Sequence, residues 1–172
     1  MVKTPFHEIC LSTEIFCQEC KEKLNTRFSF TDVTISRLIL ELLGKKKEFE
    51  NLEYIGSAES SKLIVLIFNE ANILESKYDA LSLLLSRVRE ATKKDVVVTD
   101  RKENLRTLME KIAGSSAKVL YIRELWLPDG SKAKEIRIRG KLKFNEKEIS
   151  QVLSKILNEK IEISLEEVKA GE

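Results

Sequence analysis

The apolar positions switch between two periods along the chain, and the switches mark its elements. In FTDVTISRLILELLGKKK, residues Ile35, Leu38, Ile39, Leu42 and Leu43 recur at i, i+3, i+4, i+7 and i+8, the spacing of one buried helix face. Thr31 is the expected N-cap and Gly44 the expected stop. NLEYIGSAESSKLIVLIFN then predicts two strands broken near Ser57–Ser61, the second (Leu63–Phe68) apolar throughout and therefore fully buried. A helical period returns from Ile73 to Thr92, with Leu81, Leu84, Leu85 and Val88 on one side. DVVVTD, over Asp95–Asp100, predicts a short strand.

The second half repeats this order. Asp100 and Glu103 have the spacing of a capping box ahead of a helix that buries Leu105, Leu108, Met109 and Ile112. Two strands follow, Ala117–Leu127 and roughly Lys134–Phe144, joined at Pro128-Asp129-Gly130 by a strong turn signal. Asn145 and Glu148 cap a helix with Ile149, Val152, Leu153, Ile156 and Leu157 inward, and Ile161–Leu165 alternates as the last strand. An α-β-β-α-β order thus occurs twice without obvious identity between the halves, and the expected class is α+β. The expected division is an N-terminal segment over residues 1–28 and two small units, residues 29–100 and 101–172.

Composition narrows the classes. The chain has 172 residues, 42% hydrophobic and 34% charged, which describes a folded and strongly solvated protein. Its longest apolar run, Leu63–Phe68, is far short of the roughly 20 residues a membrane helix requires. The opening MVKTPFHEIC has no apolar signal core. The expectation is a cytoplasmic protein, neither membrane-embedded nor secreted. Richness in Lys, Glu and aliphatic residues, beside only Gln18 and Gln151, leans towards a thermophile.

Net charge is only +2, but it is unevenly spread. Residues 1–100 carry a balance of −2, residues 101–144 one of +7, and residues 145–172 one of −3. The basic part of the molecule lies in the middle of the second half.

The clearest chemistry is at the start. All three cysteines and the only histidine form H-x2-C-x6-C-x2-C: His7, Cys10, Cys17 and Cys20. A two-residue gap lets both members of a pair face one ion, and two such knuckles complete a tetrahedron. Three thiolates and an imidazole favour zinc over oxygen-seeking metals. Four protein ligands leave no position for water or substrate, so the expected zinc is structural. A segment whose apolar residues are Ile9, Leu11, Ile15, Phe16 and Leu24 depends on the metal to fold.

The strand EIRIRGKLKF supplies a second feature. Alternation places Ile136, Ile138, Leu142 and Phe144 on one face, and Arg137, Arg139, Lys141 and Lys143 on the other. Four cations at about 7 Å intervals form a stripe able to follow phosphates; an edge strand charged against aggregation would show the same pattern. Arg123, Lys132 and Lys134 extend the positive character. Tyr121 and Trp126, on opposite faces of the partner strand, read as packing residues, with base stacking the alternative. The run Lys45-Lys46-Lys47 suits a helix C-terminus. Nothing points to catalysis: the histidine and cysteines are committed to metal, and no P-loop, GxGxxG or HExxH occurs.

With PFHEIC…FCQEC, the LIVLIF strand ahead of a helical pair, and VLYIRELWLPDGSKAKEIRIRG, the chain resembles the archaeal NusA-like family over roughly residues 4–168. The resemblance implies a zinc knuckle and two KH domains of the type II topology, in a transcription elongation and termination factor that binds RNA or RNA polymerase. His7 stands where the family opening has its first cysteine. A KH domain clamps nucleic-acid backbone with a GxxG loop between two helices, and Glu75-Ser76-Lys77-Tyr78 occupies that place here. Lys77 is its cation, whereas Glu75 opposes a phosphate and Tyr78 adds bulk, so the clamp is expected to be impaired. The second unit has no room for the loop between Phe144 and Asn145. A ribosome-associated or ribosome-assembly protein, and a protein–protein adaptor that has lost RNA binding, are the rival expectations.

Overall fold

The computed structural model describes residues 1–166. Its elements run α1 (Glu8–Thr13), α2 (Gln18–Thr26), α3 (Phe30–Leu43), a 3-10 turn at Lys47–Phe49, β1 (Glu53–Glu59), β2 (Leu63–Asn69), α4 (Ala71–Glu75), α5 (Tyr78–Thr92), β3 (Asp95–Asp100), α6 (Leu105–Ala113), β4 (Ala117–Trp126), β5 (Lys132–Gly140), α7 (Glu146–Leu157) and β6 (Lys160–Leu165). The fold is α+β, with two three-stranded sheets ordered β1-β2-β3 and β4-β5-β6. The chain divides into two compact units, Met1–Ser57 with Val65–Lys102, and Ala58–Ile64 with the chain from Glu103 onward. The last residues of the net-negative stretch 145–172, from 167 onward, lie outside the described residues.

In the first unit, α3 begins two residues earlier than expected. Ser29, not Thr31, is the N-cap, and Ser29 and Asp32 form a reciprocal capping box. Asp32 is also buried, and its other carboxylate oxygen accepts hydrogen bonds from Tyr54 Oη at 2.8 Å and Ser57 Oγ at 2.7 Å on β1. Four donors around one carboxylate satisfy the charge where water cannot reach. Ile35, Ile39 and Leu43 are buried, while Leu38 and Leu42 are only half-buried. The helical stretch expected over residues 73–92 is a pair of helices, α4 and α5, with its break at Ser76-Lys77 inside the loop expected at Glu75–Tyr78. Ala80, Leu84 and Val88 form the buried line of α5.

The N-terminal segment is packed into this unit. Lys3 bridges to Glu53 in parallel, exchanging backbone hydrogen bonds with Leu52 and Tyr54. Phe6 meets Phe16 and Phe28 edge-on, and Phe28 lies against Gly56 of β1, where an added Cβ would stand 3.3 Å from the ring.

In the second unit, β4 and β5 are antiparallel and β5 and β6 parallel, so β5 is the central strand rather than an edge. It ends at Gly140, four residues before the expected end at Phe144. Gly140 has φ +105°, and a Cβ there would come within 2.2 Å of the Ser116 carbonyl oxygen. That close approach, with Lys141 N donating to Ser116 O, turns the chain out of the sheet. The α6 cap also differs from expectation: Asn104 is the N-cap. Asp100 instead accepts from the amide of Ala71 at the start of α4 and from that of Lys102. Asn145 caps α7 as expected, but the Glu148 carboxylate turns within this unit to Ser60 Oγ, Ser61 Oγ and the Lys62 amide.

Candidate metal centre and cationic surfaces

The four proposed ligands converge by a simple device. His7 and Cys17 are the N-caps of α1 and α2, and Cys10 and Cys20 lie one helical turn further on. The two pairs are therefore N-cap and first-turn positions of two helices, and residues three apart share a helix face. Their donor atoms all lie within 4.8 Å of one another. His7 Nδ1 is 3.3 Å from Cys17 Sγ and 3.7 Å from Cys20 Sγ, and the Cys17 amide is 3.4 Å from Cys10 Sγ. Two helix N-termini aimed at the cluster favour thiolate charge. The Cys20 backbone amide is the largest influence on Cys17, and with His7 it outweighs desolvation to hold that exposed thiol down at about 6. Burial pushes the Cys20 thiol up to about 11. The donor set of one imidazole and three sulfurs fits a metal ion.

Two further residues, missed in the sequence, support the cluster. The other imidazole nitrogen, His7 Nε2, faces Glu19 Oε2 at 3.5 Å. Lys23 holds Glu19 Oε1 at 2.6 Å while donating to the Pro5 carbonyl at 3.0 Å. A carboxylate behind a ligating histidine keeps the proton on the remote nitrogen and the near one free for metal. Glu19 and Lys23 were readable only as an i, i+4 pair on α2.

Beneath the cluster lies a small core of Phe6, Cys10, Leu11, Cys20 and Val33, flanked by Phe16, Leu24, Phe28 and Leu40. Of the apolar residues assigned to this segment, Ile9 and Ile15 point outward, 74% and 76% exposed. Their place is taken by Phe6, Phe28 and two residues of α3.

The expected cationic stripe is divided. Arg137 and Arg139 lie on β5, paired across the sheet with Tyr121 and Lys118. Lys141 and Lys143 lie beyond the strand, lining a shallow groove of about 790 Å³ with Lys147 and a neighbouring one of about 350 Å³ with Gly114, Ser115 and Ser116. Arg139 is engaged by Glu166, and Arg123 by Glu135. Lys77 sits in the exposed turn between α4 and α5. Tyr121 and Trp126 do not pack inside: they are 38% and 70% exposed, with Arg123 over the Tyr121 ring and Lys132 over the Trp126 ring. Among the described residues no helix is long and apolar enough to cross a membrane.

No protein-family model and no curated protein matches the chain. Solved structures do. One, titled "Crystal structure of APE1850", aligns over 78% of this chain and 96% of its own, with a TM-score of 0.50 and 14% identity. That likeness shows a shared fold.

Proposed function

We propose that the protein is a non-catalytic, RNA-binding factor of the archaeal NusA-like type, built from two KH-like units and a zinc-stabilised N-terminus. The observation that carries this reading is the first unit's order, helix-strand-strand-helix-helix-strand, with an exposed turn between its last two helices at Ser76-Lys77. A KH domain presents its backbone clamp at that place. The local balance of +7 over residues 101–144 supports a polyanionic partner. Zinc held by His7, Cys10, Cys17 and Cys20 closes its coordination sphere with protein and serves the fold rather than chemistry. The protein acts in the cytoplasm by scaffolding, positioning RNA near RNA polymerase.

A second reading, a protein-docking adaptor, is favoured by the turn itself. Glu75 offers a negative charge, and Tyr78 stands 78% exposed where a phosphate clamp needs open backbone. Titration of zinc-loaded protein with single-stranded and structured RNA at two salt concentrations separates the two. Strongly salt-dependent binding is expected; absence of binding at low salt sinks the RNA reading in favour of the adaptor. Copurification then distinguishes polymerase subunits, as expected, from a ribosomal particle.

A further inference from the structure

Among the described residues the sheet β4-β5-β6 has one face covered by helices and one face that is open. Ile136 and Ile138 of β5, Val119 of β4 and Ile161 of β6 are buried on the side where α6 packs on β4 and α7 on β6. Strand alternation turns their neighbours the other way. The register sets Lys118 beside Arg139, Tyr121 beside Arg137 and Ser164, and Arg123 beside Glu135 and Glu162. An irregularity between Val119 and Tyr121 shifts the register there, so that Tyr121 comes to stand beside Arg137.

We infer that this open face binds single-stranded RNA, with Tyr121 as the stacking residue and Lys118, Arg137 and Arg139 as the phosphate contacts. The inference rests on the RNA-binding reading above and gives it a location other than the interhelical turn. Tyr121 is 38% exposed and its ring is braced by the Arg123 guanidinium at 5.5 Å, which Glu135 in turn holds. A pre-positioned aromatic side chain loses little freedom when a base stacks on it. Charge is graded along the face. The row of Arg123, Glu135 and Glu162 is net negative, whereas the Tyr121–Arg137 row and the Lys118–Arg139 row carry three cations against Glu166. Arg139 holds the Glu166 carboxylate directly, and Arg137 also acts on it from further off. Neighbouring cations on one strand face lie about 7 Å apart, comparable to the phosphate repeat of an extended single strand. A duplex would cover its own bases and leave Tyr121 nothing to stack on.

The test is fluorescence anisotropy of the zinc-loaded full chain with a labelled ten-nucleotide oligo(U), the same length of oligo(A), and an RNA duplex, at low and high salt. Tyr121→Ala is expected to weaken single-strand binding roughly ten-fold, and Tyr121→Phe to restore it. Arg137→Gln is expected to reduce the salt slope by about 0.7, one phosphate contact on a single strand. Lys141→Gln with Lys143→Gln is expected to leave affinity within about two-fold. Thermal melts of each variant, and photocrosslinking of 4-thiouridine RNA to Tyr121, keep the result independent of folding. If wild-type protein binds RNA while Tyr121→Ala and Arg137→Gln bind equally well, this surface is overturned and the RNA reading stands. Preference for the duplex, or loss of binding only in the Lys141/Lys143 variant, also overturns it. No binding by wild-type protein at low salt removes both.

Discussion

The two sheets share a strand count and an order, yet their central strands are built on opposite plans. In β2, Leu63, Ile64, Val65 and Leu66 are consecutive and all fully buried. In β5, Ile136 and Ile138 are fully buried while Arg137 between them is half-buried and Arg139 is exposed. A continuous apolar run needs cover on both faces, whereas an alternating one leaves a face for other work. The same strand order therefore serves as core in one sheet and as a charged display in the other. The two units are also secured differently. The first contains the Cys/His cluster and the small core beneath it, and among the described residues the second holds no such cluster.

The largest expected effect breaks that second contrast. Chelation, or Cys20→Ser, should unfold residues 6–28 and lower the first melting transition while leaving the second unit's transition in place, since binding of a structural zinc is worth on the order of 10 kcal/mol in small domains. Calorimetry with metal analysis checks it; an unshifted first transition in metal-free protein would show that the small core suffices alone. Within the same site, Glu19→Ala should weaken metal binding by roughly 10- to 100-fold without changing the ligand set, read by chelator competition and the cobalt spectrum.

Next comes a direct trial of the two central strands. Val65→Lys places an unpaired charge on a fully buried residue, at a cost of about 4 kcal/mol or more. Arg137→Val alters a half-buried position on an open face and should stay within about 1 kcal/mol. Equal destabilisation in urea melts would erase the distinction. Smaller than the Val65→Lys effect, Gly140→Ala forces a Cβ towards the Ser116 carbonyl at a positive φ, costing about 2 kcal/mol. Its unfolding midpoint should fall in the second unit.

The smallest effect depends on pH. Burial pushes the Asp100 carboxyl up, but the amides of Lys102 and Ala71 outweigh it and hold the group below its ordinary value of 3.8. A depressed carboxylate contributes stability that is present above that value and disappears as pH falls through the folded one. Asp100→Asn should therefore lower the melting temperature slightly near neutral pH and by progressively less below pH 3.8. A difference that grows on acidification would reverse the assignment.

These particulars show where the chain could be read in advance. Periodicity located the strands and helices from Phe30 onward, because burial of one face imposes its period on the sequence, but not α1 and α2. The ligand set was legible for a related reason: four donors must meet one point, and close spacing betrays that. Ends were read less well. Thr31 and Ser29 are both good caps, and only the Asp32 carboxylate, drawn to Tyr54 and Ser57 of a distant strand, selects Ser29. Asp100 resembled a cap for the helix after it and instead serves the one that begins at Ala71, close to it only in space.

The Arg/Lys alternation shows the limit most sharply. As a string, EIRIRGKLKF continues as one strand, and Gly140 looks like a minor interruption. In space, the Ser116 carbonyl occupies the room a side chain would need, and the chain leaves the sheet. The order of the strands and helices from Phe30 onward and the grouping of His7, Cys10, Cys17 and Cys20 follow from the sequence alone, because each depends on local period or local spacing. Which cations share a surface, which helix a carboxylate caps and which carboxylate stands behind His7 were decided only by tertiary structure, because each depends on groups brought together from separate elements.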